Sequence, residues 1–432
     1  MDLKTIVARL DIATSEEALA PGWEAAQAAR PAGAPPFLAP DYVHWACEQA
    51  FLTPEMTAAA LAAARRIAAD DALSALAWYC HYQLFLQDRE KPEVRRWPLL
   101  TTALDRDAGM FYVLVLLSGT PQMQAVHRAR RIPPEVIKDT VLDLKLQLET
   151  EDYFLKYGHW GISPRILGWL LLHWQGELYR LGRLQFVPVP FGGRLRAFRH
   201  HTSGIVVALS EAGVRYRTDG QVDGAGDVYD PTAWTSTLTL TGEATIGHPI
   251  SPLGHVLETT LTLSGREWRQ VLAPGDPTLD IHIPTGSPMN YDACGESLRQ
   301  ALAFFPRHFP DKPFVGFSCF SWILDAQFEQ LLPPCSNLVR FQKEVYLFPI
   351  KGGSGGVINT VFGFGLNLAD LPRFPRRTTM QRAFAAHLER GGHFRGGGCF
   401  LLKDDLDWGS QCYRRKTLPW LSRTCGHLRK LA

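Results

Sequence analysis

One histidine stands where its imidazole could act as a general base. His282 lies in the segment TLDIHIP and alternates with Ile281 and Ile283, so in an extended chain it points away from both apolar residues. A neutral imidazole takes up a proton near physiological pH, which suits it to general-base catalysis. The alternative is a buried histidine that only hydrogen-bonds to a neighbour.

Further polar candidates follow the segment PFVGFSCF. Ser321 stands where it would cap a helix, with Trp322 beside it and Asp325 within the first turn. In SNLVRFQ, Arg340 and Gln342 alternate on one face of a predicted strand and could line a substrate groove. The structural alternatives are a plain cap for Ser321, core packing for Trp322 and bonds to neighbouring strands for the last two.

The cysteines and histidines do not form a metal-binding pattern. Cys294 is predicted to open a helix, where a thiol could become nucleophilic, although small buried cysteines are the default. The eight cysteines are scattered without CxxC spacing, which indicates reduced thiols and a cytoplasmic protein. The pair His200 and His201 lacks further ligands, so we expect no metal.

The elements that position these candidates alternate between strand and helix. Residues 278–349 predict a strand over 278–284, a helix, a strand over 313–320, a helix over 321–332 and a strand beginning at 336. Such alternation favours parallel pairing with crossovers. Small-molecule sites often lie at the ends of parallel strands.

The rest of the chain divides by pattern. We predict an N-terminal extension over 1–40, in which a short amphipathic start is followed by an extended link in the Ala-, Pro- and Gly-rich run over 21–40. A helical domain is predicted over 41–181, with one buried helix running from Ser163 to residue 181. Residues 182–402 predict a second domain, with antiparallel strands to 272, another β region at 357–363, a helix and a closing strand. The basic tail over 403–432 has weak periodicity and is not placed in the fold.

Charge and hydropathy exclude some classes of function. The net charge is +2, so no nucleic-acid partner is expected. The longest apolar runs are too short to span a membrane, and the N-terminus lacks the apolar core of a signal peptide.

Several long blocks resemble a known family. They are GELYRLGRLQF, LDIHIPTGSP, SLRQALAFFPRHFPDKPF, CFSWILDAQFEQLLP, SNLVRFQ and LERGGHFRGGGCFLL. Over about residues 30–402 the chain resembles a two-domain family that joins a helical N-acyltransferase N-terminal domain to a GNAT-like C-terminal domain. The resemblance implies an α+β fold, with a helical domain followed by a mixed, mostly antiparallel sheet flanked by helices. It also implies two parallel strands that splay apart, here those at 278–284 and 313–320.

The resemblance further implies a reaction and roles for the candidates. The reaction would be transfer of an acyl group from a thioester to an amine by direct attack. His282 would be the base, and Ser321 would lie where the leaving sulfur is protonated. The donor would contact the splay at Ile283, Gly286, Phe317 and Cys319. The substrate would contact Glu177, Trp322, Arg340 and Gln342, although Glu177 could instead pair with Arg183 between the domains.

One departure from GNAT enzymes leaves the donor open. Those enzymes place a glycine-rich Arg/Gln-x-x-Gly-x-Gly/Ala loop before the first helix of this region, whereas this chain has PTGSPMNYDAC with Asp292 in the first helical turn. The co-substrate is therefore expected to be acyl-CoA or an acyl-phosphopantetheine on an acyl-carrier protein, which Arg299, Arg307 and Arg340 could attract. The acceptor would be a small-molecule or peptide amine. The alternative function is a non-catalytic GNAT-like binding module or an accessory protein in a biosynthetic assembly.

Overall fold

A computed structural model describes residues 1–87, 92–150 and 158–426. The chain divides into two compact units, the first formed by Met1–Leu181 with Pro284–Ser287 and the second by Gly182–Ile283 with the chain from Pro288 onward. The last six residues of the predicted basic tail lie outside the described residues. In the described ranges, no helix has the length and apolar character needed to cross a membrane.

The first unit is helical and ends in a short strand. Its α-helices are Leu3–Leu10, Glu16–Leu19, Trp23–Ala28, Pro40–Gln49, Pro54–Ala68, Asp71–His81, Thr101–Leu104, Ala108–Leu117, Thr120–Ala129, Pro134–Val141, Asp143–Thr150 and Pro164–Trp174. Strand β1, Tyr179–Leu181, follows. The helix Ala108–Leu117 is buried along its whole length, and it forms the centre of one continuous apolar core.

The sequence signals for helix starts in this unit are confirmed, but one predicted end is wrong. Ser163 caps the helix Pro164–Trp174 by accepting a hydrogen bond from the Ile166 backbone N–H at 3.4 Å. That helix stops at Trp174 and does not continue to residue 181. Gly176 follows with a φ of 65°, a left-handed conformation that favours glycine and ends helices.

The prediction of an extended link over residues 21–40 is wrong. This segment contains the helix Trp23–Ala28 and the 3₁₀ turn Pro36–Leu38, and buried Trp23 and Ala26 belong to the core of the first unit. The Trp78 indole donates to the Ala26 carbonyl oxygen at 2.7 Å. The Ala-rich and Pro-rich composition does not predict this helical structure, because packing stabilises it more than its own helix propensity does.

The second unit contains most of the strands. They are β2 (Leu184–Pro190), β3 (Leu195–His200), β4 (Val206–Ser210), β5 (Arg215–Tyr216), β6 (Trp234–Thr235), β7 (Leu238–Leu240), β8 (Ala244–Gly247), β9 (Pro249–Ser251), β10 (His255–Val256), β11 (Leu261–Ser264), β12 (Trp268–Leu272), β13 (Pro277–His282), β14 (Gly316–Ser321), β15 (Tyr346–Phe348) and β16 (Gly397–Leu402). Its α-helices are Tyr291–His308, Phe328–Leu331, Asn337–Glu344, Gly355–Val357, Thr379–Glu389 and Cys412–Cys425.

A main sheet in the second unit carries the strand order β2-β13-β14-β16-β15. Strands β13 and β14 pair in parallel, and the other neighbours pair antiparallel. A second antiparallel sheet, β10-β9-β4-β3-β12, contributes the Ala208 N–H that donates to the Tyr346 hydroxyl of the main sheet. The expected α+β class, a helical region followed by a mixed, mostly antiparallel sheet with flanking helices, is confirmed.

Three predicted elements of the second unit are wrong. The strand expected from residue 336 begins with the helix Asn337–Glu344, which Ser336 caps, and only its end is a strand, β15. The β region expected at 357–363 is helical, because Val357, Ile358 and Phe362 bury one helical face.

The third wrong element is the single helix expected over residues 321–332. It is a 3₁₀ turn, Trp322–Leu324, followed by the one-turn helix Phe328–Leu331. Asp325 separates these two elements, because its carboxylate accepts hydrogen bonds from the backbone N–H groups of Gln327 and Arg395.

The described part of the tail packs within the second unit. The helix Cys412–Cys425 places the Thr417 hydroxyl 2.7 Å from the Val206 carbonyl oxygen, to which it donates. Tyr413 is buried, and its hydroxyl accepts from the Leu402 N–H at 2.9 Å. These contacts with β4 and β16 show that the described tail is part of this unit's core.

Candidate active site

The two parallel strands stop pairing part of the way along their length. The register of β13 with β14 ends at Asp280 and Ser318. Beyond it, His282 pairs with Gln185 on β2, and β14 continues to Ser321 paired only with β16. We call the place where the two strands separate the splay.

Four polar side chains form a connected row at the splay. Thr278, Asp280 and His282 alternate along β13 and therefore share one face of the main sheet. His282 Nε2 lies 3.1 Å from Asp280 Oδ2. The Ser318 hydroxyl donates to Asp280 Oδ1 at 3.1 Å and lies 3.0 Å from the Thr278 hydroxyl.

Solvent exposure is greatest at His282 within this row, which suits a general base that must reach its substrate. Ser318 and Thr278 are buried, whereas the side chain of His282 is 33% exposed and that of Asp280 19%. The carboxylate contact at Nε2 fixes the orientation of the ring, and it would stabilise the imidazolium that forms when His282 takes up a proton. The row therefore orients an imidazole in the way that a general base requires.

The opposite face of the splay leads to an apolar groove of about 540 Å³. Ile283, expected to contact the donor, and Trp322, expected to contact the substrate, both line this groove. The other residues of the groove come from the loop at 288–289, from the chain around 332–338 and from the start of the helix Thr379–Glu389. We call this cavity the donor groove.

Gln342 shapes one wall of the donor groove without lining it. Its buried side-chain N–H₂ donates to the carbonyl oxygens of Ile323 at 2.7 Å and Asp325 at 3.0 Å. Because residues 337–344 form a helix, Gln342 and Arg340 do not share a face, and the predicted shared face is wrong. Gln342 instead holds the turn that presents Trp322.

This bonding predicts the effect of removing the amide. Gln342→Met keeps the length of the side chain but leaves two buried carbonyl groups without their donor. We expect the free energy of unfolding to fall by about 1–3 kcal/mol. Urea unfolding of Gln342→Met beside Gln300→Met, a change at an exposed glutamine, measures the difference. Equal unfolding free energies of the two variants would contradict the assigned role.

Arg340, on the helix Asn337–Glu344, contacts the first turn of the helix that follows the altered loop. Its guanidinium stacks over the Tyr291 ring at 3.7 Å from the centroid, and Nη2 lies 3.9 Å from Asp292 Oδ1. The negative charge of Asp292, the acid that distinguishes this loop, is thus partly balanced by the positive charge of Arg340. Arg299 pairs with Glu296 on its own helix at 3.0 Å.

The remaining candidates in the second unit lie in the sheet. Ser321 ends β14, and its hydroxyl accepts from the Ile323 N–H at 3.4 Å, as expected for a cap. Strand alternation places it on the opposite face of the sheet from His282. The side chains of Phe317 and Cys319 are buried in the core.

The cysteines are poorly suited to act as nucleophiles. Burial raises the pKa of the Cys294 thiol to about 11, and burial raises the pKa of Cys319 well above its ordinary value. Both thiols therefore stay protonated near neutral pH. A direct attack on the donor fits the site better than a covalent enzyme intermediate.

Two candidates belong to the first unit. Glu177 is half-buried just after the helix Pro164–Trp174, and its backbone N–H donates to the Leu172 carbonyl oxygen at 2.8 Å. Gly286 has a φ of 97°, which favours glycine, and belongs to Pro284–Ser287. Their roles in substrate and donor binding stay predictions.

Sequence reasoning missed Asp280 and Ser318. The period-two pattern of TLDIHI already placed Asp280 beside His282 on one face of the strand. Ser318 could not be found in this way, because its contact depends on the register between β13 and β14. Among the described residues, no group of three or more His, Cys, Asp or Glu side chains could hold a metal ion.

Two family models match the chain in order. Residues 42–176 match the N-acyltransferase N-terminal domain, and residues 178–401 match the GNAT-like C-terminal domain. The second match alone covers more than half of the 432 residues. The chain therefore belongs to this two-domain family of GNAT-like N-acyltransferases, which confirms the resemblance seen in the sequence.

Solved structures share the fold of the whole chain. An acyltransferase mutant in complex with octanoyl-CoA has a TM-score of 0.62 and 22% identity, over 93% of this chain and 99% of that chain. An acyltransferase in complex with decanoyl-CoA and teicoplanin has a TM-score of 0.59 and 23% identity over the same shares. At these identities the likeness shows the fold. Among curated proteins, none matches the chain.

Proposed function

We propose that the protein transfers an acyl group from acyl-CoA to an amine, with His282 as the general base. The observation that carries this proposal is the contact between His282 and Asp280 at the splay, with the donor groove on the other face of the sheet. Family membership gives the reaction class, and the geometry supports the roles that we propose for individual residues.

The reaction proceeds by direct attack. The acceptor nitrogen attacks the thioester carbonyl carbon, forming a C–N bond, and the imidazole of His282 takes the proton that the amine loses. The C–S bond then breaks, and the thiolate of CoA leaves and is protonated at sulfur. Ser321, which ends β14 on the opposite face of the sheet from His282, is the proposed proton donor to that sulfur, and it regains its own proton from water.

The donor groove suits the pantetheine arm and the start of an acyl chain. Its lining is mainly apolar, and it begins at Ile283, directly after His282. The cap and first residues of the helices Asn337–Glu344 and Thr379–Glu389 also line it, so the positive ends of two helix dipoles lie beside it. The solved acyltransferases that share this fold bind octanoyl-CoA and decanoyl-CoA, which supports acyl-CoA as the donor here.

An acyl-carrier protein is less well supported as the donor. Such carriers are acidic and need a basic surface, whereas Arg299 is paired with Glu296, and Arg340 is engaged with Tyr291 and Asp292. The acceptor is proposed to be a small-molecule or peptide amine, since one neighbour binds teicoplanin. The cytoplasmic location expected from the cysteines stays a prediction.

Calorimetry with acetyl-, octanoyl- and palmitoyl-CoA, and with free CoA, tests the donor assignment. We expect binding that depends on chain length and is tighter than that of free CoA, because the groove is apolar. Leu338→Asp, which places a charge in the groove lining, should abolish the dependence on chain length. If neither acyl-CoA nor CoA binds, the donor assignment is wrong and the non-catalytic alternative becomes the better account.

A further inference from the structure

The sheet face that carries His282 holds a second cavity, of about 460 Å³. Phe320 and Phe348 line it, together with three cationic side chains and loop residues around Gly192. Phe320 follows Ser318 by two residues on β14, so both lie on the same face, about 6–7 Å apart along the strand. The cavity therefore begins at Phe320, two residues along β14 from Ser318 of the row that contains His282. It lies on the face of the sheet opposite to the donor groove.

An aromatic shelf forms one side of this cavity. The rings of Phe191, Phe320 and Phe348 lie with centroids 5.7–6.3 Å apart. Phe191 and Phe348 are buried, whereas Phe320 is 41% exposed. Gly398 pairs with both Phe320 and Phe348 across the sheet, and a Cβ there would lie 2.2 Å from the Phe348 ring. The shelf therefore depends on glycine at that position and presents a ring to a ligand.

The charges at the cavity favour an anionic ligand. Arg215 pairs with Asp223 at 3.0 Å, and both line the cavity. Arg194 and Lys351 also line it and are exposed, and among the described residues no carboxylate lies within ion-pair distance of either. The cavity thus keeps two cations whose charge is not balanced locally, and a carboxylate is the group that they would attract.

We propose that this cavity binds the acceptor, and that the acceptor is a peptide-like amine with an aromatic side chain next to a carboxylate. The proposal rests on the proposed function and names the class of its second substrate. The amine would reach the splay beside His282, the aromatic ring would stack on Phe320, and the carboxylate would face Arg194 and Lys351. A dipeptide has this arrangement, with its amine at one end and its ring and carboxylate at the other.

Octanoylation of three dipeptides by octanoyl-CoA, followed by mass spectrometry, tests this class. We expect kcat/KM to be highest for Gly-Phe and about tenfold lower for Gly-Leu, which lacks the ring, and for Gly-Phe amide, which lacks the charge. Phe320→Ala should remove the preference for the ring, and Lys351→Gln should reduce the preference for the charge, because Arg194 remains. Phe364→Ala, at an exposed phenylalanine outside the cavity, should change neither preference.

Direct binding separates failure of this inference from failure of the proposed function. NMR titration of Gly-Phe without any donor should show binding that Lys351→Gln weakens, even if Phe320→Ala does not fold. If octanoyl-CoA binds and is consumed with other amines but Gly-Phe shows no preference and no binding, the acceptor inference is overturned and the acyltransferase remains. If Gly-Phe binds and octanoyl-CoA does not, the cavity assignment holds and the proposed reaction is wrong.

Discussion

His282→Ala is expected to lower kcat for acyl transfer by about 10²–10⁴-fold, the usual contribution of a positioned general base. Without the imidazole, the attacking amine has no group beside Asp280 to take its proton. The KM for octanoyl-CoA should change little, because the side chain lies on the opposite face of the sheet from the donor groove. Release of CoA from octanoyl-CoA, with the amine that reacts fastest with the unmodified protein, measures both constants.

A matched control separates loss of the base from loss of structure. His201→Ala changes an exposed histidine in the same unit and should keep full activity. Circular dichroism and thermal melting should show that both variants fold. A kcat of His282→Ala within a few-fold of the control would remove His282 from the mechanism and favour its role as a structural hydrogen-bonding residue.

Asp280→Asn is expected to lower kcat by about 10–100-fold, less than loss of the imidazole because the base itself remains. The amide keeps the size of the side chain and can still accept from the Ser318 hydroxyl. It removes the negative charge that lies 3.1 Å from His282 Nε2 and stabilises the imidazolium formed during attack. Asp280 is therefore proposed to act as a positioning residue through His282.

A double-mutant cycle tests whether Asp280 acts through His282. In the His282→Ala background, Asp280→Asn should have almost no further effect on kcat, because its partner is already absent. Ser318→Ala should give a smaller loss, since it removes one hydrogen bond to Asp280. Additive losses in the double variant would mean that Asp280 contributes independently, as a structural residue would.

Much of the site could be predicted because it depends on local patterns. Alternation in TLDIHI placed His282 opposite to Ile281 and Ile283, and the structure shows Ile283 at the donor groove. Ser163 and Ser321 were recognised as caps because capping depends on a few successive residues. The parallel pair and its splay followed from the family resemblance.

The wrong predictions share a physical cause. The local sequence allowed more than one structure, and tertiary packing selected the one that forms. SNLVRFQ has β-branched and aromatic residues, yet its buried positions follow a helical period and Ser336 caps it. Gln342 was expected in a groove, but its amide bonds to two carbonyl groups of a turn that is distant in sequence. Contacts of this kind are set by the packing of a helix on a turn, and that between Ser318 and Asp280 by strand register, so neither can be read from sequence spacing.

A crystal structure with a thioether analogue of octanoyl-CoA would show where the donor binds. We expect its sulfur at the splay, between the end of β13 at His282 and the end of β14 at Ser321, with the pantetheine arm in the donor groove beside Ile283 and Trp322. An analogue that binds elsewhere in the second unit, for example in the polar cavity lined by Arg217 and Arg395, would contradict this expectation.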